Sequence, residues 1–169
     1  MKTLFIMGLS IFMAGQAAAG VLIEPYMGYG QIVTTNDVPD QDDDSESGAF
    51  VGGRLGYSFL LFSAGLDYNT GSAGDYNREN TAVFAGFDLP ILLRFYGKYI
   101  FASHLSNSDN DFVYDFQDGY ALGAGFTGLP FVVINLEMGR QNYQVASGGS
   151  DHDVEAASYL LSVSLPLDF

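Results

Sequence analysis

Along most of the chain, apolar and polar side chains alternate with a period of two, the signature of strands whose two faces meet different surroundings. At the end of the sequence Tyr159, Leu161, Val163, Leu165, Leu167 and Phe169 fall on one face, and Ser158, Leu160, Ser162, Ser164, Pro166 and Asp168 on the other. Phe62, Ala64, Leu66 and Tyr68 alternate in the same way with Ser63, Gly65, Asp67 and Asn69, as do Ile134, Leu136 and Met138 with Asn135, Glu137 and Gly139. The pattern predicts eight strands, at residues 21 to 35, 48 to 58, 61 to 70, 80 to 88, 92 to 103, 116 to 128, 132 to 144 and 154 to 169. Most reach the roughly 9 to 11 tilted residues that carry a strand across a bilayer.

The connections are unequal. Links at 36 to 47, 71 to 79, 104 to 115 and 145 to 153 are long and polar, whereas those around Leu60, at Leu89-Pro90-Ile91 and at Leu129-Pro130-Phe131 are tight. Long and short links in alternation over an even number of strands are the layout of outer-membrane barrels, with short periplasmic turns and longer outer loops. The expected fold is therefore all-β, an eight-stranded antiparallel up-and-down transmembrane β-barrel with both termini periplasmic. A soluble barrel would use the same alternation with its faces reversed. Glycines and small polar residues on the non-apolar face suit a narrow lumen. Tyrosines towards strand ends (Tyr26, Tyr29, Tyr57, Tyr99, Tyr120, Tyr143, Tyr159) suit an interfacial girdle, and both features favour lipid outside.

Before the first strand, Lys2 precedes an apolar run from 4 to 14 and the stretch Gly15-Gln16-Ala17-Ala18-Ala19. This is the pattern of a secretory signal peptide, and its apolar core is too short to span a bilayer as a helix. Residues 1 to 19 are expected to be removed after Ala19, leaving 20 to 169 as the barrel domain. Of six basic residues Lys2 leaves with the signal, so Arg54, Arg78, Arg94, Lys98 and Arg140 face twenty acidic residues. That excess repels polyphosphate and excludes nucleic acid as a partner. The absence of cysteine excludes a disulfide-stapled scaffold.

The closing run YLLSVSLPLDF, residues 159 to 169, resembles the C-terminal signature of outer-membrane barrels, a terminal Phe with apolar residues at alternate positions before it. The resemblance implies that Tyr159, Leu161, Val163, Leu165, Leu167 and Phe169 are recognised by the barrel-assembly machinery. Pro166 departs from that pattern, although a strand terminus tolerates the loss of one ladder donor. In layout the whole of residues 20 to 169 resembles the small OmpA-like and OmpX-like barrels, which implies outer-membrane lipids and lipopolysaccharide as surroundings.

With the apolar face outward, parity places Glu24, Arg54, Asp67, Asp88, Arg94, Lys98 and Glu137 in the lumen. Charges there must pair, since an isolated buried charge costs several kcal/mol. Asp88 and Arg94 flank a tight turn, and Arg54 and Asp67 lie at similar heights on strands joined near Leu60, so each pair is expected to be in contact. An eight-stranded lumen is just wide enough for its own side chains to fill. A plug is therefore expected, with a narrow channel for ions or small apolar molecules as the alternative.

The outer links hold much of the acid: Asp37, Asp40, Asp42, Asp43, Asp44, Glu46, Asp109, Asp111, Asp115, Asp151 and Asp153. Asp40, Asp42 and Asp44 start with the spacing of an EF-hand loop, but Ser45 replaces its glycine and Val51 its bidentate glutamate. A solvated, mobile acidic surface is expected, with weak divalent binding or bridging to lipopolysaccharide as the alternative, and no cofactor. His104-Leu105-Ser106-Asn107 is similar to the His-x-Ser-Asn segment of the lipid A 3-O-deacylases, eight-stranded barrels in which a His-activated Ser attacks an acyl ester. That resemblance implies Asp118 as the orienting acid. Counting by two from Arg94 and Lys98, however, aims His104 and Ser106 inward or into the loop, away from lipid, and the segment joins the fifth and sixth strands rather than the last two. The expectation is a barrel without catalysis, and His152 is expected to be a solvated loop residue.

Overall fold

The computed structural model describes residues 19–36, 44–107, 114–147 and 150–169. The expected signal peptide lies outside them up to residue 18. The strands are β1 (Gly20–Asn36), β2 (Asp44–Phe59), β3 (Phe62–Ala73), β4 (Tyr76–Leu89), β5 (Leu93–Asn107), β6 (Tyr114–Leu129), β7 (Val132–Ser147) and β8 (Ser150–Ser164). Each pairs antiparallel with the next, and β1 pairs with both β2 and β8, which closes the sheet into an eight-stranded barrel. A two-residue strand, β9 (Leu167–Asp168), continues the register of β8 against Ile23 and Leu22. The break before it falls where two prolines, Pro25 and Pro166, lack ladder donors. Leu165 still donates its N–H to the Pro25 carbonyl at 3.0 Å.

The faces are inverted relative to a water-soluble protein. Leu55, Leu66, Leu122, Leu136 and Leu161 are exposed on the outside, while Glu24 and Asp67 are 0 % exposed inside. An apolar exterior around a polar interior suits hydrocarbon as the surrounding solvent. Tyr29, Tyr57, Tyr99, Tyr120 and Tyr159 face outward. Tyr26 and Tyr143, expected in the girdle, instead point into the lumen and are buried, because they share the parity of Glu24 and of Gln141.

One rim of the barrel, the turn end, carries Gly20, Phe169 and the turns at Leu60-Leu61, Pro90-Ile91-Leu92 and Pro130-Phe131. Leu60 (φ 55°), Leu92 (φ 66°) and Phe131 (φ 65°) occupy left-handed backbone there, a conformation that costs an L-residue about 1–2 kcal/mol.

The opposite rim, the loop end, departs from the expected alternation of long and short links. Residues 71 to 79 form no long loop: β3 and β4 stay paired up to Ala73 and Tyr76 and turn on Gly74-Asp75. Gly74 has φ 55°, which a residue without Cβ adopts freely. β7 and β8 likewise pair up to Ser147 and Ser150, so most of the expected loop at 145 to 153 is strand. In the first of these stretches the outward face is polar and the inward face mixes Ala73 and Tyr76 with Arg78, which erases the period-two signal. Asp37, Asp40, Asp42, Asp43, Asp109 and Asp111 lie outside the described residues, and Asp44 opens β2.

Two bulges sit on neighbouring strands. Thr81 pairs with Ala102 while Ala82 pairs with Ile100, leaving Phe101 extra on β5, and Gln117 is extra on β6 between Phe116 and Asp118. An extra residue reverses which face every following side chain meets.

Candidate functional site: the lumen and the loop-end rim

Register builds the lumenal charge cluster. Glu24 lies opposite Arg54, Arg54 opposite Asp67, and Asp88 opposite Arg94. The Arg54 Nε donates to Asp67 at 3.1 Å, and the Arg94 Nε to Asp88 at 2.7 Å. Across the lumen, Arg94 reaches Glu24 at 2.9 Å, and from the adjacent strand Arg54 reaches it at 3.3 Å, so one carboxylate serves two guanidinium groups. Lys98 bridges Asp67 and Glu137, each at 2.8 Å, and Arg54 lies 3.8 Å from Glu137. All seven charges form one connected set drawn from β1, β2, β3, β4, β5 and β7.

Neutral groups complete it. Tyr26 donates to Asp67 at 3.0 Å, Tyr96 to Glu137 at 3.0 Å and Ser164 to Glu24 at 2.6 Å, while Asn135 donates to Ser164 at 3.0 Å. The Arg54 guanidinium stacks on the Tyr96 ring at 4.0 Å, a contact that desolvation strengthens. Inward glycines make room for the rings. A Cβ on Gly123 would collide with Tyr96, and one on Gly52 with Tyr26.

Towards the loop end the lumen changes character. Ile32, Phe50, Tyr76, Leu105, Tyr143, Val154 and Leu160 pack into an apolar layer. The expectation of a lumen filled by paired charges thus describes only its turn-end half. Against the apolar layer, level with Leu105, sits Arg78, a lumenal cation absent from the inward residues expected from parity. It is buried, 3.5 Å from the Gln141 side-chain oxygen and 4.9 Å from the Phe50 ring, with no carboxylate within ion-pair distance among the described residues. Its parity with Asn80, Ala82 and Phe84 was available, but it falls in the stretch read as loop.

Parity misplaced His104 and Ser106. The bulge at Phe101 turns both to the outside, and Leu105 turns inward instead. They line an exterior recess of ≈ 410 Å³ with Ser72, Asn77 and Glu79, at the loop-end side of the outward Tyr68 and Tyr99. Glu79 is the register partner of His104. Asp118, the acid the deacylase resemblance implied, faces outward on β6 and accepts a hydrogen bond from Asn142 at 2.7 Å. Among the described residues β5–β6 pairing ends at Ile100 and Gly119, so no ladder holds Asp118 beside His104. No hydrogen bond or ion pair among the described residues joins His104 to Ser106, Glu79 or Asp118. Nor do the described residues contain a group of three metal-ligating side chains.

No family model matches the chain, and no curated protein matches it. Solved structures do. Ail, the attachment invasion locus protein of Yersinia pestis, in complex with the heparin analogue sucrose octasulfate, is similar over 88 % of this chain and 99 % of its own, at 14 % identity and TM-score 0.55. Neisserial surface protein A is similar over 88 % and 98 %, at 13 % identity and TM-score 0.55. The backbone structure of Yersinia pestis Ail in a phospholipid bilayer nanodisc is similar over 88 % and 99 %, at 13 % identity and TM-score 0.50. At such identities the likeness speaks to architecture: this chain has the fold of the small eight-stranded outer-membrane barrels.

Proposed function

We propose that the chain is a bacterial outer-membrane protein with its termini and tight turns in the periplasm, a closed lumen, and a structural or surface-interaction role carried by its loop end. The observation that carries this reading is the connected set of seven charges beneath an apolar layer, which leaves the cross-section to side chains. In this reading the assembly machinery recognises the last strand, where Tyr159, Leu161, Val163, Leu165, Leu167 and Phe169 all face outward. Lipopolysaccharide surrounds the outer rim, and divalent cations bridge it to the acidic links. Ail was solved with a polyanionic sugar. A chain of net charge −14 repels that ligand class, so its surface partners are neutral, cationic or cation-bridged.

Single-channel recording in planar bilayers tests the plug. The wild type is expected to stay silent, and Arg54→Ala, which strips Glu24 and Asp67 of a shared cation, to admit flickering cation current. A steady wild-type conductance of porin size would sink the proposal in favour of a channel.

One observation supports a second reading, hydrolysis of an acyl ester of a lipid. The bulge at Phe101 brings His104 and Ser106 to the outside of the barrel, just beyond the outward tyrosines, with a carboxylate, Glu79, across the ladder. Those residue types are the ones a Ser nucleophile, its base and an orienting acid require. The missing hydrogen bonds between them keep this reading second.

A further inference from the structure

Tight turns that meet water are normally built from Gly, Asn, Asp and Ser, which accept left-handed backbone and present polar groups. The turn end of this barrel has none in its turns. Leu60, Ile91, Leu92 and Phe131 are exposed there, Phe131 to 87 %, and the terminal Phe169 joins them. Three of these residues, Leu60, Leu92 and Phe131, also hold the left-handed position that glycine would take without strain. The same short pattern recurs around the rim: Leu89-Pro90-Ile91, Leu129-Pro130-Phe131 and Leu165-Pro166-Leu167. Polar groups at this end turn inward or cap the mouth, as where Ser58 donates to Asp168 at 2.7 Å.

On most strands the outward apolar band is too short without these turns. On β3 it runs from Phe62 to Tyr68 before Thr70, and on β7 from Val132 to Met138 before Arg140. At about 3.3 Å per residue and a tilt near 40°, such stretches span about 15 Å, that on β5 about 20 Å, and that on β2, from Ala49 to Phe59, about 25 Å. A membrane barrel presents an apolar band of about 25 Å. One turn residue, about 3.8 Å of further chain, together with its side chain, closes most of the gap. The turns lie between β2 and β3, β4 and β5, and β6 and β7, and Phe169 lies beside β1, so the crown is spread around the rim. A docked protein would cover one side, whereas lipid covers all sides equally.

We propose that the turn end is seated in the inner-leaflet interface of the membrane, so that the three turns and Phe169 contact lipid instead of periplasmic water or protein. This rests on the membrane reading above. It leaves the barrel flush with the inner leaflet, and it confines partner recognition to the long strand extensions of the loop end.

The chain has no tryptophan, so each of Leu60→Trp, Ile91→Trp and Phe131→Trp reports from a single place. The refolded full barrel is placed in phosphatidylcholine vesicles, with or without acyl chains brominated near the glycerol end, and with iodide on both sides. Leu136→Trp, in the apolar band, serves as the membrane control and Asp153→Trp, at the loop end, as the aqueous one. Blue-shifted emission is expected from the turn variants, with bromolipid quenching within about twofold of Leu136→Trp and little quenching by iodide. Iodide quenching at the turns equal to that of Asp153→Trp, with Leu136→Trp still lipid-quenched, overturns the lipid-seated rim alone. Iodide quenching of Leu136→Trp overturns the membrane reading and the inference with it. Three separate turns keep the test decisive should one variant not refold.

Discussion

Glu24→Ala removes the acid on which the lumenal cluster converges. The carboxylate is wholly buried and meets Arg94 at 2.9 Å, Arg54 at 3.3 Å and the Ser164 hydroxyl at 2.6 Å. Arg54 keeps Asp67 and Arg94 keeps Asp88 after the change, so neither guanidinium loses all its partners. The loss should exceed one charge-assisted hydrogen bond, about 1.5–3 kcal/mol. It should approach the cost of breaking a buried ion pair from one side, about 3–5 kcal/mol. Glu24→Gln keeps the shape but turns an amide N–H towards cations, and an intermediate loss is expected. Urea unfolding of the barrel in phospholipid vesicles, followed by far-UV circular dichroism, measures each. The double variant Glu24→Ala/Arg94→Ala should lose less than the sum of the single changes, by about 0.5–3 kcal/mol, because the second deletion removes a cation that the first left under-paired. A Glu24→Ala loss below about 1 kcal/mol, the range of exposed ion pairs, would refute the connected cluster, and strict additivity would refute the coupling.

Because the chain lacks cysteine, single substitutions test the bulge. His104→Cys and Ser106→Cys in the refolded barrel are expected to react with a water-soluble maleimide while Leu105→Cys stays protected, and the reverse pattern would place Phe101 in a regular ladder. Incubation with lipid A separates the two functional readings. The wild type and Ser106→Ala are expected to match in releasing no hydroxy fatty acid, and a release that Ser106→Ala abolishes would promote the hydrolase to first place.

How far the sequence can be read depends on what surrounds each part of the barrel. Between hydrocarbon and a charged lumen the contrast across a strand is at its greatest, and there alternation gives strand number and closure, as on 62 to 68 or 159 to 165. Beyond the hydrocarbon the outward face turns polar, and residues 71 to 79 read as loop although they are paired and send Ala73, Tyr76 and Arg78 inward. A bulge defeats counting altogether, since one extra residue reverses everything after it. Its only trace is the run Tyr99-Ile100-Phe101, three apolar residues where alternation allows no such run. The apolar layer left a trace too: Leu160 stands among the serines of the last strand, and Ile32, Phe50 and Leu105 share its inward face. These residues pack into one cluster, where the plug changes from ionic to apolar. The change has a physical use. An ionic cluster is strong only where water is kept away, and the apolar layer closes the lumen on the side of the long, acidic links. The ion pairs near the turn end and the apolar layer therefore work as one device: Leu160 is the register partner of Glu137, and a polar substitution at Leu160 should weaken the ion pairs of Glu137 with Lys98 and Arg54, seen as a lower urea midpoint of the refolded barrel.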